Sequence, residues 1–439
     1  MTTIIDYADK VWTGEADTAA YHRGDLRKDG LHPVGDGVYM WPAFGNVYVF
    51  PTSAGIVLYD TGDRRTAGEL HTATRQMSEQ PVAAAVYSHG HIDHVFGMGP
   101  FDSEAEHRGW ARPTVIAHEA VVDRFNRYRQ TRGYNAVINQ RQFQAPTLQW
   151  PSEYRYPDCT FSDRTTVDLG ELRMELHHAR GETDDAAIAW IPDRGILCCG
   201  DFFIWASPNA GNPQKVQRYA HEWAQTLRWM AGLGAEILLP GHGLPIVGVD
   251  RIRTTLSDAA QLLETLHCQT LQMMNAGASL DEIVHTVSVP DELLHKPYLQ
   301  PSYDEPEFVV RNIWRRYGGW YDGNPANLKA ARRDELAREL AEISGGAERL
   351  ADHARDLLAR GEHRLAGHFA QMATDAEPNN PIAHQVRADV FTRLERDAPS
   401  TMAKGVYAWA VAESRAALEG TTRTTELRAM TTGRTQWAF

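Results

Sequence analysis

Three histidines and an aspartate lie within six residues in the segment SHGHIDH, which contains His89, His91, Asp93 and His94. The segment directly follows the apolar run 81–87 (PVAAAVY), which predicts a short buried strand. A loop with this spacing can place His89 and His91 on one metal ion, and Asp93 and His94 on a second. Neutral imidazole and carboxylate ligands suit Zn²⁺, with Mn²⁺ and Fe²⁺ as alternatives. Metal binding is therefore the favoured interpretation over a chance histidine cluster on a solvated loop.

Short strands with helices between them are predicted around this loop. Residues 38–61 alternate β-branched and aromatic runs with proline or glycine, as hairpin strands do, and residues 64–79 predict a helix. The alternation continues to AEILLPGHG, which predicts a strand that ends in a loop. Mixed strands with interspersed helices indicate a layered α/β domain, whose polar chemistry usually lies at the ends of strands.

From about residue 251 the strand patterns disappear. Residues 251–277 and 328–396 carry apolar residues at helical spacing, and the second stretch resembles about one and a half tetratricopeptide units. The residues after about 420 are rich in Thr and Arg and predict a loosely ordered tail. The sequence therefore predicts three parts: an α/β domain at 1–250, a helical domain at 251–420 and a tail at 421–439.

Composition excludes several classes of protein. The chain carries 44 Lys and Arg against 57 Asp and Glu, and a formal charge of −13 argues against nucleic-acid binding. No stretch approaches the roughly 20 apolar residues of a membrane span, and the opening MTTIIDYADKVWTGEADTAA has no signal-peptide pattern. Four cysteines are too few and too badly spaced for a disulfide framework or a cysteine-ligated zinc site. These features predict a cytoplasmic protein that binds neither nucleic acid nor membrane.

The motif H-x-H-x-D-H after a buried strand is the signature of the metallo-β-lactamase superfamily, and residues from about 35 to 250 resemble this family. The resemblance implies an α/β fold, the αββα sandwich, with two metal ions at one edge. It also implies where further ligands lie, at the ends of predicted strands: Glu182 in GETDD, Asp201 in CCGDFF and His242 in PGHG. Asp60 in YDTGD resembles the family's aspartate that orients a ligand histidine. An ordinary turn carboxylate is the alternative for Asp60.

The resemblance implies a dinuclear metal site, most simply one that holds two Zn²⁺ ions. Its expected ligands are His89, His91 and Glu182 on one ion, Asp93, His94 and His242 on the other, with Asp201 and a hydroxide as bridges. The three carboxylates and the hydroxide balance two divalent cations, so an anionic substrate would need a nearby arginine. Metal binding lowers the pKa of water toward about 7, which supplies a nucleophile at neutral pH.

Glutamate at position 182 indicates a subfamily. Metallo-β-lactamases and glyoxalase II enzymes use histidine at this position, whereas alkylsulfatases of the superfamily use glutamate. Residues from about 255 to 420, among them YGGWYDGNPANL (317–328), look like the all-α dimerisation domain of alkylsulfatases. This resemblance implies a homodimer whose helices help to cover the active-site mouth. A stand-alone helical scaffold module is the alternative.

Three departures from the alkylsulfatase pattern concern the substrate. The chain reads ETDDAA where the family has a Pro-rich stretch after the glutamate. It reads SPNAGNPQKVQRY where the family has an Asn-rich segment with a sulfate-binding arginine, so Lys215 and Arg218 are candidate anion contacts, or solvated charges at a helix start. It also reaches Phe439 without the sterol-carrier-like domain that shelters the alkyl chain in many alkylsulfatases.

Two other groups of residues are candidates for the chemistry. His177 and His178 end a predicted strand close to Glu182, so either could protonate a leaving group, although such a pair is more often structural. The arginine-rich insertion 101–150 could lie over the mouth of the site or form an exposed helix. The candidate catalytic residues are Asp93, His178 and Arg218.

The predicted function is hydrolysis of a sulfate ester, a small and anionic substrate, by a dinuclear metal hydrolase that uses a metal-bridging hydroxide. The alternative keeps the fold and changes the substrate to a lactone, thioester, phosphodiester or β-lactam. A non-catalytic binding or scaffold protein is a third hypothesis, which predicts decayed metal ligands.

Overall fold

The computed structural model describes residues 3–18 and 25–431. The described residues form two compact units. The first contains residues 3–18, 25–132 and 151–319, and the second contains residues 133–150 and 320–431.

Two β-sheets form the centre of the first unit. The first sheet has seven strands in chain order: β1 (His32–Gly35), β2 (Val38–Trp41), β3 (Val47–Thr52), β4 (Gly55–Tyr59), β5 (Val82–Val86), β6 (Thr114–His118) and β7 (Cys159–Phe161). The second sheet has six strands, β8 (Arg164–Leu169), β9 (Leu172–Ala179), β10 (Ala186–Ile191), β11 (Ile196–Gly200), β12 (Ile237–Pro240) and β13 (Ile246–Val247), in the order 13-12-11-10-9-8. Strands β4 to β7 run parallel to one another, and β11 is parallel to β12, whereas all other neighbouring strands pair antiparallel.

Helices of the first unit cover the outer faces of both sheets. They are α1 (Ile4–Thr13), α2 (Ala67–Met77), α3 (Met98–Arg108), α4 (Ala120–Gln130), α6 (Ala220–Ala231), α7 (Val249–Asn275), α8 (Leu280–Thr286), α9 (Asp291–Leu294) and α10 (Pro306–Tyr317). Helix α5 (Arg132–Gln142) lies between α4 and β7 in the chain and belongs almost wholly to the second unit. Two short 3₁₀ helices cover Leu26–Asp29 and Pro192–Arg194.

The layers follow from the alternation of side chains along the strands. In β3, Tyr48 and Phe50 pack into the core between the two sheets, together with Leu176 and Ala189 of the second sheet. Val49, which points the other way, packs with residues of α2, α3 and α4. Because the opposite face of the second sheet is covered by α6 and α7, the layers run α, β, β, α.

The second unit is helical and has its own alanine-rich core. Besides α5 it contains α11 (Pro325–Leu328), α12 (Arg333–Ser344), α13 (Ala347–Ala359), α14 (His363–Ala376), α15 (Pro381–Asp397), α16 (Thr401–Glu419) and α17 (Arg423–Thr431). Small alanines at the facing positions allow close helix packing, and leucine and valine fill the remaining space.

The predicted fold class, an αββα sandwich followed by helices, is confirmed. The predicted domain boundaries at 250 and 420 stay a prediction. The prediction of a loosely ordered tail is wrong for residues 423–431, which form α17. Leu427 of this helix packs on Trp409 and Ala412, which stabilises it. The rest of that tail, 432–439, lies outside the described residues.

Within residues 3–18 and 25–431, none of the helices has the length and apolarity needed to cross a bilayer.

Candidate metal centre

Strand ends bring the predicted ligands together. The segment from His89 to His94 follows β5, Glu182 lies between β9 and β10, Asp201 follows β11, and His242 follows β12. Because the strand interiors are apolar and buried, polar ligands can only be accommodated where each strand ends and the chain turns.

Four side chains form a first cluster: His89, His91, Glu182 and Asp201. The His89 Nε2 atom lies 2.8 Å from His91 Nδ1. It is 3.8 Å from both Glu182 Oε2 and Asp201 Oδ2. His91 Nδ1 lies 3.5 Å from Glu182 Oε2. These four atoms therefore surround one small volume.

Asp93, His94 and His242 form a second cluster. The Asp93 Oδ2 atom lies 3.4 Å from the Nε2 atoms of both His94 and His242. Asp201 reaches this cluster as well, because its Oδ1 lies 3.4 Å from His94 Nε2 and its Oδ2 lies 3.2 Å from His242 Nε2. Asp201 is thus the carboxylate that both clusters share.

The spacing of these atoms fits divalent metal ions. Zinc bonds of about 2.0–2.1 Å in a tetrahedron place neighbouring ligand atoms about 3.3 Å apart, and the distances above scatter around this value. His94 Nε2, Glu182 Oε2 and Asp201 Oδ1 are buried and have no hydrogen-bond partner among the described residues. Burial lowers the pKa of His89 to about 4, so its imidazole is neutral at pH 7, the form that binds metal.

The remaining nitrogens of the histidines are oriented by other groups. His94 Nδ1 donates to Asp60 Oδ2 at 2.8 Å. His89 Nδ1 lies 2.9 Å from Ser88 Oγ, which in turn donates to Asp60 Oδ2 at 2.7 Å. His242 Nδ1 donates to the carbonyl of Phe44. With Nδ1 engaged in these contacts, the Nε2 atoms of His89, His94 and His242 face the clusters, and Asp60 contacts His94 as expected of an aspartate that orients a ligand histidine.

Glu182 is itself held by two polar side chains. Asn209 donates to Glu182 Oε1, and Arg218 donates to the Glu182 carbonyl and lies 3.3 Å from Oε1. Burial raises the pKa of Glu182 to about 8, although the charge of Arg218 acts in the opposite direction. A carboxylate this difficult to ionise is suited to a position where a bound cation supplies positive charge.

Lys215 and Tyr303 are close enough to the carboxylates of Glu182 and Asp93 to interact with their charges. Burial and, to a lesser degree, the positive charge of Arg218 lower the pKa of Lys215 to about 7. The negative charges of Glu182 and Asp93 act to raise it. Burial also raises the pKa of the Tyr303 phenol, as do the negative charges of Glu182 and Asp93. The phenol therefore stays protonated at neutral pH.

The predicted acid, His178, has other contacts. Its Nδ1 donates to the Ala186 carbonyl at 3.0 Å, and its ring stacks on His118 with 3.6 Å between ring centroids. Burial and the neighbouring His118 lower the pKa of His178, which leaves the ring neutral at pH 7. His178 belongs to neither ligand cluster, and its role as an acid stays a prediction.

Sequence reasoning missed several residues of this site. Ser88, Asn209 and Asp185 contact the ligands or their loop, and Arg124 contacts Asp185. One signal was available for Arg124: it lies on the same helical stripe as Val121, Phe125 and Tyr128, where a charged residue needs a buried partner. The pairing of Asn209 with Glu182, 27 residues apart, left no local signal.

Two family models match this chain. Residues 40–242 match the metallo-β-lactamase superfamily. Residues 279–417 match the alkyl sulfatase dimerisation family. The two matches lie in the order that the sequence predicts.

Curated relatives match along most of the chain. A linear primary-alkylsulfatase of Pseudomonas sp. is 25% identical over 83% of this chain and 73% of its own length. An (R)-specific secondary-alkylsulfatase, also of Pseudomonas sp., is 28% identical over 84% of this chain and 60% of its own length. The chain thus spans about three fifths to three quarters of these relatives.

A solved structure has the same fold. The structure of a stereoselective inverting sec-alkylsulfatase from Pseudomonas sp. superposes with a TM-score of 0.79 at 24% identity. The match covers 88% of this chain and 65% of that one.

Proposed function

Because this chain joins a metallo-β-lactamase superfamily domain to an alkylsulfatase dimerisation domain, we propose that it is a metal-dependent hydrolase of sulfate esters. The observation that carries the proposal is the pair of ligand clusters that share Asp201, with Glu182 among the ligands. All seven predicted ligand positions belong to these clusters, which argues against the scaffold hypothesis.

The proposed site holds two divalent ions, most simply Zn²⁺. His89, His91 and Glu182 would hold one, and Asp93, His94 and His242 the other, with Asp201 between them. When bound, such ions supply Lewis acidity and an activated water at neutral pH.

The chain's own residues orient and charge the site. Asp60 and Ser88 keep the histidine tautomers that leave Nε2 free for binding. Lys215 would attract the sulfate group, and an adjacent anion would in turn favour its charged form. The protonated phenol of Tyr303 interacts with the charges of Glu182 and Asp93, which makes it a candidate proton donor to the leaving oxygen, as an alternative to His178.

The helical second unit supports a homodimer. Several of its apolar side chains are exposed in the single chain, among them Ile343 at 80%, Trp320 at 70% and Leu336 at 52%. Leu336 and Ile343 are seven residues apart on α12 and so share one face, and an exposed apolar stripe of this kind is typical of a subunit interface. A cytoplasmic location, and the lack of nucleic-acid or membrane partners, stay predictions.

The decisive experiment is sulfate release from a series of short to medium alkyl sulfates by zinc-loaded protein. We expect release that a chelator abolishes and zinc restores, with an optimum chain length. A matched Tyr303→Phe variant should lower kcat more than it raises KM if the phenol donates the leaving-group proton. Protein that binds two ions per chain and releases no sulfate would contradict the substrate assignment.

A second candidate is hydrolysis of another ester class: a lactone, thioester, phosphodiester or β-lactam. Arg218 and Asn209 lie in the segment where the alkylsulfatase pattern has its sulfate-binding residues. Both side chains contact Glu182 here, which leaves them less able to bind a sulfate group and favours this second candidate. The same zinc-loaded protein, assayed against a panel of these esters, distinguishes the two candidates.

A further inference from the structure

A buried ion pair contacts the loop that carries His89 and His91. Arg124 of α4 has a side chain that is 2% exposed, and Asp185, just before β10, has one that is fully buried. The Arg124 Nε atom lies 2.5 Å from Asp185 Oδ2, and the same guanidinium contacts Asp184. The charge of Arg124 lowers the pKa of Asp185 to about 2 although burial acts to raise it, so Asp185 is ionised at neutral pH.

The same Asp185 oxygen binds the metal loop. Gly90, which separates the two histidines, donates its N–H to Asp185 Oδ2 at 3.1 Å. Two residues on, Ala187 donates its N–H to the carbonyl of Ser88 at 2.6 Å. The loop is therefore tied by two hydrogen bonds to the segment that begins β10.

Position 90 has no room for a side chain. A Cβ atom there would lie 2.8 Å from Arg124 Cδ and 3.0 Å from Asp185 Oδ2. The ion pair and the loop backbone are thus in direct contact, and a shift of one displaces the other.

Asp185 also lies three residues after Glu182, so one short segment supplies a ligand and supports the loop that carries two others. Resting on the proposed function, we infer that Asp185 is a positioning residue whose acceptor oxygen sets the separation of His89, His91 and Glu182 for metal binding, and that Arg124 is its buried counter-ion. The Asp185 carboxylate accepts the Gly90 N–H, and the Arg124 guanidinium compensates the buried carboxylate. Groups that orient ligands commonly change metal affinity by about 10–100-fold.

Paired double variants separate positioning from simple stability. Arg124→Met with Asp185→Asn removes both charges and keeps an oxygen acceptor for Gly90. Arg124→Met with Asp185→Leu removes the same charges and has a similar shape, but lacks the acceptor. Asp184→Asn is the control, since Asp184 contacts Arg124 and is not the acceptor for Gly90.

The measurements are zinc affinity and stoichiometry by competition with a chelating dye, the visible spectrum of the Co²⁺-substituted protein, and the melting temperature of the metal-free protein. We expect the Asn double variant and the Asp184→Asn control to bind within about threefold of wild type. In the Leu double variant, the more weakly bound of the two ions should bind at least about tenfold less tightly than in wild type, and the cobalt spectrum should change. The two double variants should melt within a few degrees of each other. If the Leu variant does not fold, Asp185→Ala on the same Arg124→Met background replaces it.

Equal zinc affinity and equal cobalt spectra for the two double variants would overturn the inference. A loss of zinc affinity relative to wild type that is the same in both double variants would also overturn it, because the missing acceptor for Gly90 would then not be the cause. Failure of the proposed function is a separate result: wild-type protein that binds fewer than two ions contradicts the metal centre, and two bound ions without sulfate release contradict only the substrate.

Discussion

At the scale of single residues, the proposed metal site depends on groups that are not themselves ligands, and Asp60 is one of them. The Asp60 carboxylate accepts from the Ser88 N–H at 2.6 Å, from the Ser88 hydroxyl, and from His94. It does so from a left-handed backbone conformation, φ 60°, that ordinary side chains avoid and Asp or Asn tolerate. This backbone conformation directs one carboxylate at both Ser88 and His94.

Replacement of Asp60 by Asn isolates the effect of the carboxylate, because Asn tolerates the same backbone conformation. We expect Asp60→Asn to weaken metal binding by about 10–100-fold while the protein stays folded, since the His94 tautomer is no longer enforced. Metal titration of the apoprotein checks this. Unchanged affinity would show that the hydrogen bond to His94 does not matter for binding.

Gly241 is a residue where one methyl group should disrupt the site. A Cβ atom there would lie 2.2 Å from Asp201 Oδ1 and 2.7 Å from the carbonyl carbon of Gly200. We expect Gly241→Ala to displace the shared carboxylate and to lower metal affinity by at least about tenfold.

Gly68→Ala is the matched control for this variant, because a Cβ atom at that position in α2 meets nothing within 4 Å. It should raise the free energy of unfolding by about 0.5–1 kcal/mol and leave metal binding alone. Chelator competition and thermal melts measure both effects, and a metal affinity of Gly241→Ala equal to wild type would contradict the predicted clash.

At the scale of elements, the ends of strands determine where the chemistry lies. Strands β11 and β12 are parallel, so the residues after them, Asp201 and His242, emerge at the same edge of the second sheet. The loop after β5 of the first sheet meets them there, and Asn46 donates to the Pro240 carbonyl across the sheets at 3.0 Å. Two separate sheets thus supply one site.

In the second unit, the start of α15 offers a test of helix capping that is remote in the chain from every predicted ligand. The Asn380 side chain accepts from the N–H groups of Ile382 and Ala383, at 2.9 and 3.1 Å, and proline occupies the first helical turn. Asn380→Ala should lower the stability of this unit by about 1 kcal/mol, and Asn380→Ser should restore most of it. Denaturant unfolding measures the change. We expect metal content to stay at the wild-type value, and a loss of metal would contradict this.

At the scale of the whole molecule, the proposed metal ligands and the helices proposed to form the dimer occupy different parts of the chain. Every residue of the two ligand clusters lies in the first unit, whereas residues 320–431 contribute helices alone. The formal charge of −13 opposes binding to the phosphate backbone of nucleic acids, and the lack of such a partner stays a prediction.

Metal removal should therefore leave the assembly intact. We expect the native protein to have twice the 49.2 kDa mass of the chain in light scattering, and to keep that mass after chelation or in a His242→Ala variant. Activity should be lost in both cases and return with zinc only in the chelated wild type. Dissociation to a single chain on chelation would show that the metal centre takes part in assembly.

The sequence by itself determined the fold class and indicated the residues that could bind metal, because apolar periodicity and histidine spacing are local properties. It also pointed to Asp60. Only the tertiary structure decided that Asp201 contacts both clusters, that Asn209 and Arg218 are engaged with Glu182, and that Arg124 lies buried against Asp185. These contacts join residues tens of positions apart, and their partners are chosen by how the two sheets and their helices pack, which no local pattern records.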